Sequence, residues 1–152
     1  MDRRQLLGLA AAGSTALLAT GGGAARADDD KGEHKGHHHD EHLRILGECV
    51  RACNEASHHC LEELKKSQSE HREHHAMAHE LAMDCQDFCV LAAKLMARHS
   101  PLAAYSHQAC AEACRCCAEE CEKGTDEVMK TCAEKCRDCE KVCREMSKRN
   151  TA

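Results

Sequence analysis

Cysteine, rather than leucine or isoleucine, recurs at helical spacing through the last third of the chain. The spacing of four, three and four residues occurs twice, the second time 22 residues after the first. The two quartets are Cys110, Cys114, Cys117 and Cys121, and Cys132, Cys136, Cys139 and Cys143. At about 100° per residue, each quartet lies within about 60° of one helix face. Because strong helix formers separate the cysteines, the pattern predicts two amphipathic helices whose buried stripe consists of thiols.

The same register occurs with fewer thiols in two earlier segments. We predict helix 1 over residues 41–66 and helix 2 over residues 69–98. The inward cysteines are Cys49, Cys53 and Cys60 in helix 1, and Cys85 and Cys89 in helix 2. Ala56 occupies the position of helix 1 where the register would place a fourth thiol. Four helices therefore share one kind of buried stripe.

Capping residues mark the ends of the last two helices. Ser100 is a suitable N-cap with Pro101 at the first helical position, and Gly124 ends this third helix. Thr125 is then the N-cap of helix 4. Four helices joined by short breaks predict an all-α fold, an antiparallel four-helix bundle with a cysteine-lined core over residues 41–149.

The first 27 residues have the features of an export signal. Arg3 and Arg4 precede a moderately apolar run, and Ala25 and Ala27 supply small residues at the cleavage positions. The run is too short and too rich in Gly and Ala to anchor the chain in a membrane. Residues 1–27 resemble a twin-arginine (Tat) signal, which passes folded cargo. We therefore expect a periplasmic protein that folds before export, with no membrane attachment after cleavage.

Composition narrows the function further. Residues 28–40 are rich in His and Asp and have no apolar residue, so we expect this segment to be disordered. The formal net charge is −5, which gives no indication of nucleic-acid binding. No Ser/His/Asp set, paired carboxylates or phosphate-binding loop is present, and a cysteine oxidoreductase needs one activated thiol rather than a buried array. We therefore expect a protein that is not an enzyme.

Fourteen cysteines in a short exported chain are typical of a disulfide scaffold. However, cysteines four residues apart on one helix point the same way, which is poor geometry for a disulfide. Zinc and iron–sulfur sites usually take their cysteines from loops, and here the cysteines lie within helices. An exported helical disulfide scaffold and a zinc or iron–sulfur protein remain the alternatives.

Copper(I) fits the array best, because it is soft, accepts two or three thiolates and tolerates bridging sulfur. Stacked pairs on four helices would line a tube that holds many ions. The candidate ligands are Cys49, Cys53, Cys60, Cys85, Cys89, Cys110, Cys114, Cys117, Cys121, Cys132, Cys136, Cys139 and Cys143. Cys116 lies about 120° from the stripe of helix 3, so we expect it on a flank. His71, His74 and Met129 are candidate entry ligands, and their alternative roles are surface histidine and core-filling methionine.

The segments ACAEACRCCAEEC and CAEKCRDCEKVC, after a Tat-like signal, resemble the bacterial copper storage proteins, and most closely their exported branch. The resemblance covers residues 42–148. It implies a four-helix bundle that stores many Cu(I) ions on core thiolates, commonly as a homotetramer, and that exchanges copper with a donor or recipient protein. The chain departs from the pattern in having two cysteines in helix 2 and Cys116 outside the register.

Overall fold

The structure, a computed structural model, describes residues 33–66 and 71–148, with side chains from residue 39 onward. The Tat signal predicted over residues 1–27 lies outside the described residues. So do residues 28–32, the first part of the segment predicted to be disordered. None of the helices in the described part is long and apolar enough to cross a membrane.

Four α-helices make up the fold. They are α1 (Glu33–Lys65), α2 (Arg72–Ala97), α3 (Ala103–Cys121) and α4 (Glu127–Lys148). Helix α1 packs against α2 and α4, and α3 packs against the same two helices, whereas the backbones of diagonally opposite helices stay apart in the described ranges and only their side chains meet. The predicted all-α four-helix bundle is confirmed. Because the backbones of diagonally opposite helices stay apart, the centre of the bundle is filled by side chains that all four helices direct inward.

Helix α1 begins at Glu33, eight residues before the predicted start at Glu41. It therefore includes residues 33–40 of the segment for which we expected no regular structure. Extending a formed helix costs far less than starting one, because each added residue gains a hydrogen bond without a new nucleus. A polar segment without proline can therefore continue a helix that the apolar residues after it establish.

The turn between α2 and α3 differs from the predicted one. Helix α3 begins at Ala103, so Ser100 is not its N-cap; the Ser100 hydroxyl accepts the Leu102 N–H at 3.3 Å in the preceding turn. His99 adopts φ 51°, and the Ser100 N–H donates to the Leu95 carbonyl at 2.9 Å. This is the Schellman arrangement that ends helices, here with histidine in the left-handed position that glycine usually takes. The motif uses Ser100 to close α2, which delays the start of α3.

The core contains few large apolar side chains. Cysteine and alanine supply most of its buried positions, and Leu46 and Met129 are the largest side chains that are fully buried. Cysteine behaves as a small hydrophobe when its thiol is free. Each buried thiol removes less apolar surface from water than leucine would, so burial stabilises this core less per residue.

Ion pairs link the helices on the outside of the bundle. Lys135 Nζ lies 2.9 Å from a Glu48 carboxylate oxygen and joins α4 to α1. Arg137 forms two hydrogen bonds to Glu122, at 2.8 and 2.9 Å, and joins α4 to the end of α3. Because these pairs are partly exposed, each contributes only about 0–1 kcal/mol. Their main effect is to fix which helices are neighbours.

Replacing Leu46 with alanine should lower the free energy of unfolding of the metal-free protein by about 2–5 kcal/mol, because a fully buried aliphatic side chain is removed. Leu61→Ala on the same helix is the matched control, since Leu61 is 40% exposed. The control should change the free energy by less than about 0.5 kcal/mol. Urea unfolding followed by circular dichroism measures both variants. Equal losses would contradict the core position of Leu46.

Candidate metal centre

The thiols converge on the axis of the bundle as their register predicted. Thirteen cysteines have 0% exposure, and they are the thirteen that the four stripes placed inward. Cys116 is half-buried, and its Sγ lies 3.4 Å from Arg115 Nη2 on the flank of α3. The predicted placement of all fourteen cysteines is confirmed, whereas their role as metal ligands stays a prediction.

Sulfur atoms from different helices lie at van der Waals distances from one another. The Cys85–Cys114 and Cys89–Cys110 Sγ–Sγ distances are both 3.5 Å, and the Cys49–Cys136 distance is 3.7 Å. A disulfide bond would require about 2.05 Å, and all fourteen cysteines are free. A metal–sulfur bond of about 2.3 Å lets one ion bind two sulfurs at these separations.

Pairs within a helix have the same spacing. The Cys110–Cys114 Sγ–Sγ distance is 3.9 Å, and the Cys117–Cys121 and Cys139–Cys143 distances are both 4.0 Å. One turn of helix thus sets almost the same sulfur separation as the packing between helices. An ion therefore meets similar pairs of donors along and across the bundle.

Eleven of the thirteen inward thiols fall into four overlapping groups, in each of which the sulfurs lie within 4.8 Å of one another. From one end of the bundle to the other, the groups are Cys53, Cys117, Cys132 and Cys136; Cys49, Cys53, Cys85 and Cys136; Cys49, Cys89, Cys114 and Cys139; and Cys110, Cys139 and Cys143. Neighbouring groups have one or two cysteines in common. The groups therefore form one continuous column rather than four separate sites.

The other two inward thiols lie at the end where α1 finishes and α4 begins. Cys121 Sγ is 4.0 Å from Cys117 Sγ, so it extends the column by one step. Cys60 donates a hydrogen bond to the Met129 thioether at an Sγ–Sδ distance of 3.8 Å. Met129 is fully buried. The column thus ends in a thiol–thioether pair.

Burial favours the protonated form of the thiols at this end of the column. It raises the pKa of Cys60 to about 11, with smaller contributions from the charges of Cys132 and Asp126. Hydrogen bonds with Cys117 and Cys132, together with burial, raise the pKa of Cys121. At neutral pH such thiols hold their protons, so a metal that binds thiolate must displace them.

The predicted entry residues lie at the same end as Cys60. His71 is exposed on the rim and lines a surface cavity together with His74. His74 Nδ1 lies 2.9 Å from a Glu120 carboxylate oxygen, while its Nε2 is buried without a hydrogen-bond partner among the described residues. A Cβ on Gly124 would lie 3.2 Å from both this Nε2 and Met129 Cγ. Glycine therefore leaves the space between His74 and Met129 open.

His59 and His75, which the sequence analysis did not single out, lie at the same end as His74. The His75 ring centroid is 5.3 Å from that of His74 and 5.7 Å from that of His59. His59 Nε2 lies 3.4 Å from an Asp126 carboxylate oxygen. Burial, and then the neighbouring His74 and His59, lower the pKa of His75. Its imidazole is therefore neutral at pH 7 and able to bind a metal.

A third such histidine lies at the opposite end. His107 is fully buried, and its Nδ1 lies 3.4 Å from Cys143 Sγ. Burial lowers the pKa of His107. Helix register could have revealed both buried histidines, because His75 and His107 continue the inward stripes of α2 and α3 by the same steps of three and four residues.

The chain has the sequence features of a known family. The model of the copper storage protein family matches residues 35–148. No curated protein sequence matches the chain.

Solved copper storage proteins share its fold. A Cu(I)-bound copper storage protein is 30% identical with a TM-score of 0.65, and the match covers 72% of this chain and 98% of that one. The apo form of copper storage protein 3 from Bacillus subtilis is 30% identical with a TM-score of 0.60, and the match covers 70% of this chain and 95% of that one. A cytosolic copper storage protein from Streptomyces lividans loaded with five coppers is 28% identical with a TM-score of 0.66, and the match covers 77% of this chain and 98% of that one.

Cys116→Ala should leave the Cu(I) capacity of the chain almost unchanged, because Cys116 is outside every thiol group. Cys117→Ala should lower the capacity by about one ion or a fraction of one, since bridging sulfur is shared between ions. Both variants are titrated anaerobically beside the parent protein with a colorimetric Cu(I) competitor. Equal losses in the two variants would contradict the inward register of α3.

Proposed function

Because the chain belongs to the copper storage protein family, we propose that it stores many Cu(I) ions per chain on the thiolates of its thirteen inward cysteines. The observation that supports this most directly is the continuous column of sulfur atoms. Its cross-helix separations of 3.5–4.0 Å let one ion bind sulfurs of two helices. The thiolates would hold the ions without changing them, so we propose a store rather than an enzyme.

The overlap between groups favours Cu(I) over a set of zinc ions. Structural zinc takes four ligands of its own in a closed tetrahedral site. Here Cys49, Cys53, Cys136 and Cys139 each belong to two groups, so four closed sites cannot form at once. Copper(I) accepts two or three thiolates and tolerates bridging sulfur. One Cu(I) per thiolate also leaves the buried column without net charge, which avoids the cost of burying charge.

A disulfide scaffold is a poorer explanation of the same cysteines. All fourteen are free in the structure, and the column brings several sulfurs close to one thiol, as at Cys49, where those of Cys85, Cys114 and Cys136 all lie within 4.0 Å. A scaffold needs each cysteine to have one partner. The column has no such pairing.

Copper enters at the end that carries His71, His74 and Met129. His71 on the rim would take up the ion first, and His74 Nε2 faces the space that Gly124 leaves open. Met129 then connects this space to Cys60. Donors thus change from imidazole to thioether to thiolate along the path, in order of increasing preference for Cu(I).

The twin arginine at Arg3 and Arg4 supports export of the folded protein by the Tat route to the periplasm. The Streptomyces lividans relative is a cytosolic protein, so this location rests on the chain's own first 27 residues. Folding before export would bury the thiols before they meet an oxidising compartment. Cell fractionation with an antibody against the chain tests the location, and retention in the cytoplasm would contradict it.

The protein assembles with copies of itself, as a homotetramer. Helix α2 carries several large apolar side chains on its outer surface, and the exposed ones are Met77, Met83, Phe88 and Leu91. Exposed apolar side chains on one helix indicate a contact surface. Light scattering of the purified protein measures the assembly, and a monomer would exclude it. Storage also implies a donor or recipient protein that exchanges copper with the chain.

Loading the reduced protein with Cu(I) should raise its Tm and release protons. An ion that binds only the folded state shifts the unfolding equilibrium, and buried thiols such as Cys60, whose pKa burial raises to about 11, must lose their protons to bind. Protons therefore compete with copper, so lower pH should weaken binding. Calorimetry gives the Tm, and an indicator dye in weak buffer counts the protons. An unchanged Tm without proton release would contradict the proposal.

His74→Ala should slow Cu(I) loading while leaving the final capacity unchanged, because His74 lies on the path and outside the column. His58→Ala is the matched control, since His58 is an exposed histidine on α1. Stopped-flow absorbance at the thiolate-to-copper charge-transfer band follows loading from a chelated donor. Equal rates in the two variants would contradict entry at this end.

A further inference from the structure

The outer side of α2 carries exposed residues at alternating steps of four and three along the whole helix. This outer stripe consists of Glu73, Met77, Glu80, Asp84, Asp87, Leu91, Lys94 and, directly after the helix, Arg98. Met83 and Phe88, which are also exposed, lie on its two flanks. The same spacing lets one helix pack along another over many turns. Helix α2 therefore has two lengthwise faces, one that packs into the bundle and one that points outward with equally regular spacing.

The charges of the outer stripe are segregated along the helix. Four acids come first, and the two bases, Lys94 and Arg98, follow the last acid. The one ion pair of α2 within the described chain is that of His74 with Glu120, so none of these six side chains forms one there. Each of the other helices carries ion pairs on its outer side, such as Arg51–Glu55 on α1, Arg115–Glu119 on α3 and Arg144–Glu140 on α4.

The acids in the middle of the outer stripe repel one another. Glu80, Asp84 and Asp87 are spaced by four and three residues, at which like charges destabilise a helix. Lys94 has no acid three or four residues away on either side, so it cannot offset them within the helix. It also lies about 15 Å along the axis from Asp84, which is too far for an ion pair. The charges of the stripe therefore lack suitable partners within one chain.

A second copy of the chain supplies those partners if its α2 runs antiparallel to the first. With a twofold axis near residue 89, Asp84 lies opposite Lys94 of the partner subunit, and Glu80 lies opposite Arg98 of the partner subunit. Because the contact is symmetric, each pair occurs twice. A parallel contact would instead place every acid opposite its own copy. Sliding the antiparallel pair by seven residues towards the start of α2 would place Asp84 opposite Asp87 of the partner subunit.

The same arrangement brings apolar side chains together at its centre. Phe88 lies within one residue of the twofold axis, so the two copies of its ring would meet there, beside Leu91. In the single chain these side chains are 38% and 45% exposed. Their burial would favour association without specifying a direction. The charges on either side would then determine the direction and register of the two helices.

We propose that two copies of the chain pair through the outer stripes of α2, antiparallel, with Asp84 of each copy against Lys94 of the other. The inference rests on the proposed self-assembly and specifies the surface and charges that direct it. A tetramer would combine two such pairs through a second contact. Because His71 and His74 lie at the start of α2, antiparallel pairing places the copper entrances of the two chains at opposite ends, where neither blocks the other.

Zero-length cross-linking with a carbodiimide tests the pairing in the parent protein. The reagent joins a carboxylate to a lysine only where the two are in contact, so an Asp84–Lys94 link cannot form within one helix. Peptide mass spectrometry of the reduced, metal-free assembly should identify this link. If light scattering shows an assembly but Lys94 is linked only to acids outside the outer stripe, the pairing is overturned and self-assembly stands. A monomer by light scattering would exclude both.

Charge reversal tests the same ion pair by complementation. Asp84→Lys and Lys94→Asp should each weaken self-association by at least about tenfold, since two repelling pairs replace two attracting ones. An equimolar mixture of the two variants should associate like the parent, because each supplies the charge that the other lacks. Lys141→Asp, which reverses an exposed base on α4, is the matched control and should leave association unchanged.

Analytical ultracentrifugation measures association of the variants and of the mixture. Single reversals without effect, or a mixture as dissociated as each variant alone, would overturn the pairing. The Cu(I) capacity of every variant should equal that of the parent, because the outer stripe lies outside the thiol column. Capacity is titrated separately, so failure of the pairing and failure of copper storage are distinguishable.

Discussion

The contact between thiols from all four helices is the constraint on which the rest of the structure depends. Sulfur–sulfur separations of 3.5–4.0 Å set how closely the helices approach, and within the described ranges diagonally opposite helices meet through thiols while their backbones stay apart. A wider bundle would separate the sulfurs beyond the span of one ion. A narrower one would leave no room for metal. The same distance therefore determines the packing of the empty protein and its capacity to bind copper.

This core limits how stability can be distributed. Small thiols and alanines exclude less apolar surface from water than leucine would, and Leu46 and Met129 are the largest fully buried side chains. Exposed and partly exposed ion pairs such as Arg137–Glu122 fix the neighbours but contribute little free energy. Metal binding is consequently expected to add a larger share of the stability than it would in a bundle with an aliphatic core.

Helix register was enough to predict the bundle, the thirteen inward thiols and the outlying position of Cys116, because burial on a helix repeats with a fixed angle. Helix register could not predict which thiols contact one another, since the shift of one helix along the bundle axis relative to the next is set by tertiary packing and by the turns. Ser100 illustrates this limit: a favourable N-cap in sequence, it closes α2 because His99 takes the left-handed conformation. His75 and His107 fit the register and could have been found from it, but histidine is buried less often than apolar residues, so the register alone did not single them out.

Shared ligands make the column a one-dimensional array. Cys49 and Cys53 each belong to two groups, as do Cys136 and Cys139. An ion bound in one group changes the charge and orientation of a sulfur that its neighbour also uses, so the free energy of each step depends on the occupancy next to it. In repeat proteins, coupling between neighbours makes stability a property of the whole array. By the same logic, affinity here belongs to a run of adjacent ions, and partly filled chains would hold contiguous blocks of copper rather than scattered single ions.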